Sequence, residues 1–296
     1  MTVTPRLLAR IFTGITVLTY GLVVLGALVR AHGAGLACPD WPLCFGEAIP
    51  QFDLRVAFEW GHRVAAGAIS LLFLGASVLV LRDPVMRPAL RGWILVTGCV
   101  LAVQILLGAF TVWELLASWT VVSHLLTGNA FALCLALTAR ALFRLDSPRP
   151  AARPGPGLRP VLWVCAALLF VQMFLGGRVS STYAGLACSQ WPACNDGVWF
   201  PSFEGALGSQ LLHRLGAYAL AVAVLLAAWM GRRVEGLSKL LKVAAALVVV
   251  QIGVGVANVL MRIPVELTGL HSALAAALVL TLGLAVAEVV PGARAD

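Results

Sequence analysis

The stretch that decides the fold is residues 58–81, which read FEWGHRVAAGAISLLFLGASVLVL. Glu59 and His62 are three residues apart, so they share one face of a helix whose remaining length is apolar enough to cross a bilayer. Ionisable side chains at the mouth of a membrane span are costly, which makes them candidates for function. Residues 209–214, SQLLHR, open a second apolar run in the same way, with Gln210 at the position of Glu59. The chain therefore contains two related spans that differ in one ionisable group.

Similar apolar runs occur along the whole chain, which is 60% hydrophobic and 11% charged over 296 residues. A membrane-spanning helix needs about 20 consecutive apolar residues. Eight runs meet this requirement: 7–29, 58–81, 92–113, 119–139, 160–179, 208–231, 240–261 and 265–289. We therefore predict an all-α integral membrane protein with eight transmembrane helices.

The net charge of +8 is distributed unevenly between the two sides of the predicted membrane. Of the 21 Lys and Arg residues, 15 fall in the two termini and in the connections at 82–91, 140–159 and 231–242. The positive-inside rule then predicts that both termini are cytoplasmic. This asymmetry indicates contact with a lipid bilayer and argues against nucleic-acid binding. The basic residues assigned to the opposite side are Arg30, Arg55, Arg63, Arg178, Arg214 and Arg262.

Two closely spaced cysteine pairs, Cys38/Cys44 and Cys188/Cys194, lie in the loops assigned to the outside. An oxidising compartment permits disulfides there. A disulfide could hold its Trp-Pro loop over the pocket beneath it, or it could be redox-active. We interpret Cys188/Cys194 as structural and leave both roles open for Cys38/Cys44.

The same loops reveal an internal repeat. Residues 35–44, GLACPDWPLC, align without a gap with residues 185–194, GLACSQWPAC, 150 positions further on. Three more landmarks follow at nearly the same offset: His62 and His213, Gln104 and Gln251, and His124 and His271. We predict two four-helix bundles, 1–145 and 160–296, joined by a cytoplasmic linker at 146–159 and related by a pseudo-twofold axis along the membrane normal.

Four histidines lie one or two turns inside the outer end of the second or fourth helix of their bundle. They are His62, His124, His213 and His271. These helices can face each other across a bundle core, where two neutral imidazoles can occupy both axial positions of a haem iron. A single such histidine is more simply explained by hydrogen bonding between helices, but four at matched depth favour haem ligation. Zinc is disfavoured because no third ligand stands nearby.

Four arginines on the outer side are candidates for binding haem propionates, since guanidinium groups bind carboxylates bidentately. They are Arg63, Arg214, Arg30 and Arg178. Ordinary snorkelling at the membrane interface is the alternative. Four amides inside the spans are predicted to hydrogen-bond between helices: Gln104, Gln251, Asn129 and Asn258.

Glu59 distinguishes the N-terminal pocket from the C-terminal one. A carboxylate one turn from a haem ligand can accept a proton or stabilise a developing cation, whereas the amide of Gln210 cannot titrate. The first pocket is therefore predicted to perform chemistry, and the second to hold a group or relay electrons. Simple solvation of Glu59 at the interface is the alternative.

Together these features resemble the haem A synthase family. The resemblance rests on eight spans in two repeats, E-x-x-H-R opening the second span, Q-x-x-H-R opening the sixth, single histidines in the fourth and eighth, and cysteine pairs in the first and third outside loops. It covers nearly the whole chain. It implies an oxidoreductase that converts a ring methyl of haem O stepwise to a formyl group, giving haem A for terminal cytochrome oxidases.

The resemblance also implies a role for each site residue. His213 and His271 would ligate a resident haem B, whereas His62 and His124 would flank haem O as the substrate. Glu59 would be the essential carboxylate, and the first cysteine pair would be linked to activity. The oxygen atom could come from water, captured by a cationic methylene, or from oxygen activated at the iron.

The family further implies a multi-pass protein of the bacterial inner membrane, with haem O and the farnesyltransferase that produces it as partners, and direct transfer of haem O between the two proteins stays open. The electron acceptor stays open, and a homo-oligomer is possible. Competing interpretations are a membrane dihaem electron-transfer cytochrome, a quinone-coupled disulfide oxidase and a transporter built on parallel repeats.

Overall fold

The computed structural model describes residues 3–148, 152 and 154–290, and within these ranges it contains eight long helices and no strand. They are α1 (Pro5–Ala31), α2 (Leu54–Arg82), α3 (Met86–Trp113), α4 (Ser118–Asp146), α5 (Leu158–Ser181), α6 (Gly205–Gly231), α7 (Ser238–Leu260) and α8 (Val265–Val289). Each is long and apolar enough to cross a bilayer, which confirms the predicted spans.

Capping side chains set the start of two helices in the first half. The carboxylate of Asp53 accepts a hydrogen bond from the N–H of Val56 at 2.8 Å, at the first turn of α2. Asp83 accepts from the N–H groups of Val85 and Met86 at 2.9 and 2.8 Å, where α3 begins. These bonds satisfy amides that have no partner inside the helix, so the connections can be short.

The helices around the predicted linker are longer than their apolar runs. α4 continues to Asp146 and α5 begins at Leu158, because basic residues such as Arg140 and Arg144 are good helix formers. The predicted linker, 146–159, falls partly outside the described residues. So do three basic residues used to assign the cytoplasmic side: Arg149, Arg153 and Arg294.

The chain divides into two compact units, Met1–Arg149 and Pro150–Asp296. In the first unit α1 and α3 each pack against both α2 and α4, so the four helices form a ring with α2 and α4 on a diagonal. In the second unit α5 and α7 each pack against both α6 and α8 in the same way. The helices that carry the histidines are therefore diagonally opposed within each bundle, as the sequence analysis expected.

A close-packed apolar core occupies one end of each bundle. In the first unit it is centred on Phe73, whose ring meets Phe12 and Phe131 edge-on at 6.3 and 5.7 Å between ring centres. In the second unit the core includes Leu162, Val224, Leu241 and Leu282. These residues lie where the odd-numbered helices begin and the even-numbered helices end. The histidines lie at the other end of each bundle, outside these cores, and are partly exposed.

Candidate functional site

The four histidines lie at two matched depths. His62 and His213 are about two turns from the starts of α2 and α6, and His124 and His271 are under two turns from the starts of α4 and α8. Within each unit the two histidine-bearing helices face each other across the bundle, α2 with α4 and α6 with α8. Each bundle therefore brings its own two predicted ligands together.

In the second unit the separation of the two histidine rings can be compared with the separation that a shared metal ion requires. The ring centres of His213 and His271 are 6.4 Å apart, with the ring planes inclined at 69°. Bonds from a metal to imidazole nitrogen are about 2 Å long, and the nitrogen lies about 1 Å from its ring centre, so an ion between two imidazoles sets the centres about 6 Å apart. The two side chains therefore have the spacing that axial ligation of a haem iron requires. Among the described residues, no three His, Cys, Asp or Glu side chains gather as a structural zinc site would need.

A glycine on the preceding helix lies against each imidazole. The pairs are Gly26 with His62, Gly108 with His124, Gly176 with His213, and Gly255 with His271. A Cβ atom at any of these glycines would come within 2.9–3.2 Å of Cε1 of its histidine. That is closer than ordinary van der Waals contact, so glycine is what allows each ring to approach the neighbouring helix this closely.

Glutamines tie both histidine-bearing helices of the second unit to their neighbours. Nε2 of Gln172 donates a hydrogen bond to the carbonyl of His213 at 2.9 Å and lies 3.0 Å from Nδ1 of its ring. Nε2 of Gln251 donates to the carbonyl of His271 at 3.0 Å. Sequence reasoning missed Gln172. Its signal was the Gln-x-x-x-Gly spacing that it shares with Gln104 and Gln251.

The first unit lacks both of these ties. Leu22, four residues before Gly26, takes the position of Gln172. Gln104 contacts the ring of His124 instead of its backbone, with 3.3 Å between the amide nitrogen and Nε2. The histidines of the two units are thus held differently.

The predicted hydrogen bonds between helices form at Gln104, Gln251 and Asn258, the last accepting from Thr268 at 3.4 Å. The prediction was wrong for Asn129. Its amide donates to the carbonyl of Leu125, one turn back in its own helix, at 2.9 Å.

Both predicted disulfides are present: Cys38 is bonded to Cys44 and Cys188 to Cys194. All four cysteines are buried. The first disulfide packs against Val56, in the first turn of α2, so it lies at the end of the bundle that carries the histidines.

Glu59 joins the first disulfide loop to α2. Its side chain is buried, with 5% of the residue exposed, and both carboxylate oxygens are engaged. Oε2 accepts from the N–H of Cys38 at 2.8 Å, and Oε1 pairs with Nη2 of Arg63 at 2.6 Å. The acid therefore contacts the disulfide loop while it shares a helix face with His62, one turn away.

Arg63 fastens the same loop from below. Nη1 donates to the carbonyls of Asp40 and Leu43, both at 2.6 Å, and Nη2 also donates to the carbonyl of Cys38 at 3.1 Å. With the ion pair to Glu59, four of the five N–H groups of a guanidinium are used. Arg63 is thus a clamp on the loop.

The second unit repeats this clamp without the acid. Nη2 of Arg214 donates to the carbonyl of Cys188 at 2.6 Å, and Nη1 donates to Ala193 at 3.3 Å. Nε2 of Gln210 donates to the carbonyl of Gly185 at 3.1 Å. The role proposed from sequence, binding of haem propionates, stays a prediction for all of these arginines: Arg63, Arg214, Arg30 and Arg178.

Asp40 organises the tip of the first loop. Its carboxylate accepts from the N–H groups of Phe45 and Gly46 at 2.7 and 2.9 Å, and the bond from Gly46 is the first cause that lowers the pKa of Asp40 below 3.8. A lowered pKa in the folded state stabilises the loop fully above pH 3.8, and the stabilisation is lost as the pH falls through the lowered value.

We therefore expect Asp40→Asn to speed hydrogen exchange at the amides of Phe45 and Gly46 at about pH 6, where the wild-type carboxylate is ionised. The difference from wild type should shrink at acid pH, where both side chains are neutral. Exchange in loop 188–198, which has Gln190 at the position of Asp40, is the internal control. Equal exchange of the two proteins near neutral pH would contradict this assignment.

The described residues form eight helices, each long and apolar enough to cross a bilayer, in two bundles with a diagonal pair of histidines in each, which is typical of a multi-pass membrane protein. The chain belongs to the COX15-CtaA family of cytochrome oxidase assembly proteins, whose pattern it matches over residues 9–57 and 51–283. This confirms the family inferred from the sequence motifs.

Several relatives carry the name Heme A synthase. The chain is 31% identical to that of Shewanella oneidensis, over 90% of this chain and 92% of the relative. It is 32% identical to that of Symbiobacterium thermophilum, over 79% of each chain. It is also 32% identical to that of Shouchella clausii, over 88% of this chain and 89% of the relative.

Proposed function

We propose that this protein is a haem A synthase, an oxidoreductase that converts a ring methyl of haem O to a formyl group and so makes haem A for terminal cytochrome oxidases. The observation that carries the proposal is the difference between two otherwise matched bundles. Each has a diagonal histidine pair, but only the first has a buried carboxylate, Glu59, one turn from a histidine. Its relatives named Heme A synthase, similar over most of their length, support the same conclusion.

The second unit suits a resident haem B. His213 and His271 have the spacing of two axial ligands, and the glutamine bonds to their backbones fix both helices at that level. Haem B, when bound there, supplies a centre that can pass one electron at a time. Gln210, an amide beside this pair, adds no titrating group.

The first unit suits the substrate. His62 and His124 would flank haem O, and the helices that carry them lack the glutamine ties of the second unit. Glu59 and its clamp Arg63 form the wall of this pocket next to the disulfide loop. A pocket that must admit haem O and release haem A benefits from helices that are not locked at the histidines.

Glu59 is the group placed to assist the oxidation. Converting a methyl to a formyl group with water as the source of oxygen releases four electrons and four protons, because R–CH3 and H2O give R–CHO. Whichever source supplies the oxygen, the methyl carbon must lose hydrogen. A carboxylate beside it can accept a proton and stabilise the positive charge that develops. The bonds from Arg63 and the N–H of Cys38 hold that carboxylate in one orientation.

The charge distribution supports a bacterial inner-membrane protein with both termini in the cytoplasm. The histidine end of each bundle then lies in the outer half of the membrane. Haem O would arrive from the farnesyltransferase that makes it, with its farnesyl tail among the apolar side chains that the helices expose, such as Leu71, Val17 and Leu106.

Expression in a bacterial host that makes haem O but no haem A tests the function. Haems extracted from the membranes and separated by chromatography should include haem A. A folded, membrane-inserted protein that yields only haem B and haem O would contradict the proposal. If no haem A is formed and the protein binds two similar haems, a dihaem electron-transfer cytochrome would be favoured. A quinone-coupled disulfide oxidase would instead keep its activity when His213 is replaced.

Replacing Gln172 by leucine, the residue found at the equivalent position in α1, should weaken the resident site. Loss of an outer hydrogen bond to a metal ligand typically costs about 10- to 100-fold in metal affinity, so we expect the purified Gln172→Leu protein to lose haem B from the second unit about tenfold faster. Haem transfer to excess apomyoglobin measures the rate. Leu22→Ile, a change at the matched position of the first unit, is the control and should leave that rate unchanged.

A further inference from the structure

Two glutamine amides contact a histidine ring, but at different nitrogens: Gln172 meets Nδ1 of His213, whereas Gln104 meets Nε2 of His124. The amide nitrogen of Gln104 lies 3.3 Å from Nε2 of His124 and can only donate, so it occupies the lone pair of Nε2 in the tautomer that carries its proton on Nδ1. Nδ1 of that ring is buried against Gly108. Nε2 is therefore the nitrogen that would bind iron, and in this structure a side chain of the protein already occupies it.

The matched position of the second unit explains why Gln251 does not reach Nε2 of His271 in the same way. Gly128, one turn after His124, is replaced there by Ala275. A Cβ atom at Gly128 would lie 2.9 Å from Nε2 of Gln104, too close for the amide to keep its position. Gln251 turns to the backbone carbonyl of its histidine instead. The glycine at 128 is thus what gives Gln104 room to reach the ring.

We propose that Gln104 is a displaceable latch on His124: its amide competes with the iron of haem O for Nε2 and so makes the first site exchange its haem, while the second site keeps its own. The inference rests on the proposed function, because it takes the first pocket as the substrate site. It adds the residue pair, Gln104 and Gly128, that sets the lifetime of the bound substrate and product.

The size of the effect follows from the type of bond. The net free energy of a neutral hydrogen bond corresponds to about a 3- to 10-fold change in a binding constant. That is small enough for an incoming haem to displace the amide. It is large enough to shorten the residence time of haem A in the first unit after haem O has been oxidised.

The test uses the full-length protein in detergent, loaded with haem O and mixed with excess apomyoglobin. Haem transfer should occur in a fast phase from the first unit and a slow phase from the second; Gln172→Leu, which loosens only the second site, identifies the slow one. Gly128→Ala, which pushes the amide away, and Gln104→Leu, which removes it, should each slow the fast phase about 3- to 10-fold. Both should leave the slow phase unchanged.

Ala275→Gly is the reciprocal variant, since it gives Gln251 the room that Gln104 has, and it should speed the slow phase.

Fast-phase rates within about twofold of wild type in both first-unit variants would overturn the latch. If Gly128→Ala does not fold, Gln104→Leu decides alone, because leucine is already present at Leu22, the matched position of α1. Unchanged rates in a protein that still makes haem A refute the latch only, whereas a wild-type protein that binds no haem refutes the proposed function as well.

Discussion

Glu59→Gln is expected to abolish haem A formation while both haem sites stay filled. The amide has the size of the carboxylate and can still accept hydrogen bonds from Arg63 or the N–H of Cys38, so the loop should keep its place. It cannot take a proton or balance positive charge on the methyl carbon, and losing such a group typically costs about 10²- to 10⁴-fold in rate. The ratio of haem A to haem O in membrane extracts measures the effect.

Gln210→Glu is the matched control for that variant. It introduces a carboxylate at the equivalent position of the second unit, where Arg214 stands four residues on to pair with it, as Arg63 does with Glu59. Haem A formation should persist in this protein. A Glu59→Gln protein that converts haem O at the wild-type rate would remove Glu59 from the chemistry.

His271→Ala is expected to empty the second unit of its haem. The two ring centres there are 6.4 Å apart, so removing one ring leaves an iron with one protein ligand. Disturbing even the outer partners of a metal ligand costs about 10- to 100-fold in affinity, so occupancy should fall at least tenfold. Haem B per chain, measured after extraction from the purified protein, reports the loss, and haem A formation should stop with it.

His32→Ala controls for that experiment. His32 caps the end of α1, where Nδ1 bonds to the carbonyl of Leu28 at 2.9 Å and the ring stacks on Phe58 at 4.3 Å between centres. It belongs to neither histidine pair, so its loss should leave the haem content unchanged. Normal haem B content in His271→Ala would contradict the ligand assignment.

Much of this architecture is legible in the sequence because its signals are periodic. Spans show as apolar runs, and the repeat of GLACxxWPxC places the disulfide loops in register. Once α2 and α4 are known to face each other, His62 and His124 are expected to be close, because both lie about two turns from the starts of their helices. These inferences need only helix geometry and the offset between the repeats.

The contacts of Glu59 and Arg63 could not be read in the same way. They depend on the path of residues 38–44, which folds back onto the first turns of α2 so that backbone groups of the loop meet both side chains. Irregular loops have no period that predicts such a path. The sequence identified Glu59 as important but gave no indication that it binds the backbone of Cys38.

Gln172 was missed for a different reason. A glutamine inside an apolar helix is an ordinary former of interhelical bonds, and its repeat equivalent, Leu22, breaks the symmetry that drew attention to Gln104 and Gln251. Only the structure shows that three glutamines approach histidines. Gln172 and Gln251 bond to the histidine backbone, and Gln172 also meets Nδ1 of its ring, whereas Gln104 contacts only Nε2 of the ring.

The central claim is that each bundle grips one haem between two imidazoles, and electron paramagnetic resonance of the oxidised, purified protein tests it most directly. The account predicts a low-spin ferric signal typical of two imidazole ligands, which disappears from the second unit in both His213→Ala and His271→Ala. A protein that shows no haem absorption when made with ample haem supply, or a low-spin signal that stays at its wild-type size in both His213→Ala and His271→Ala, would contradict it.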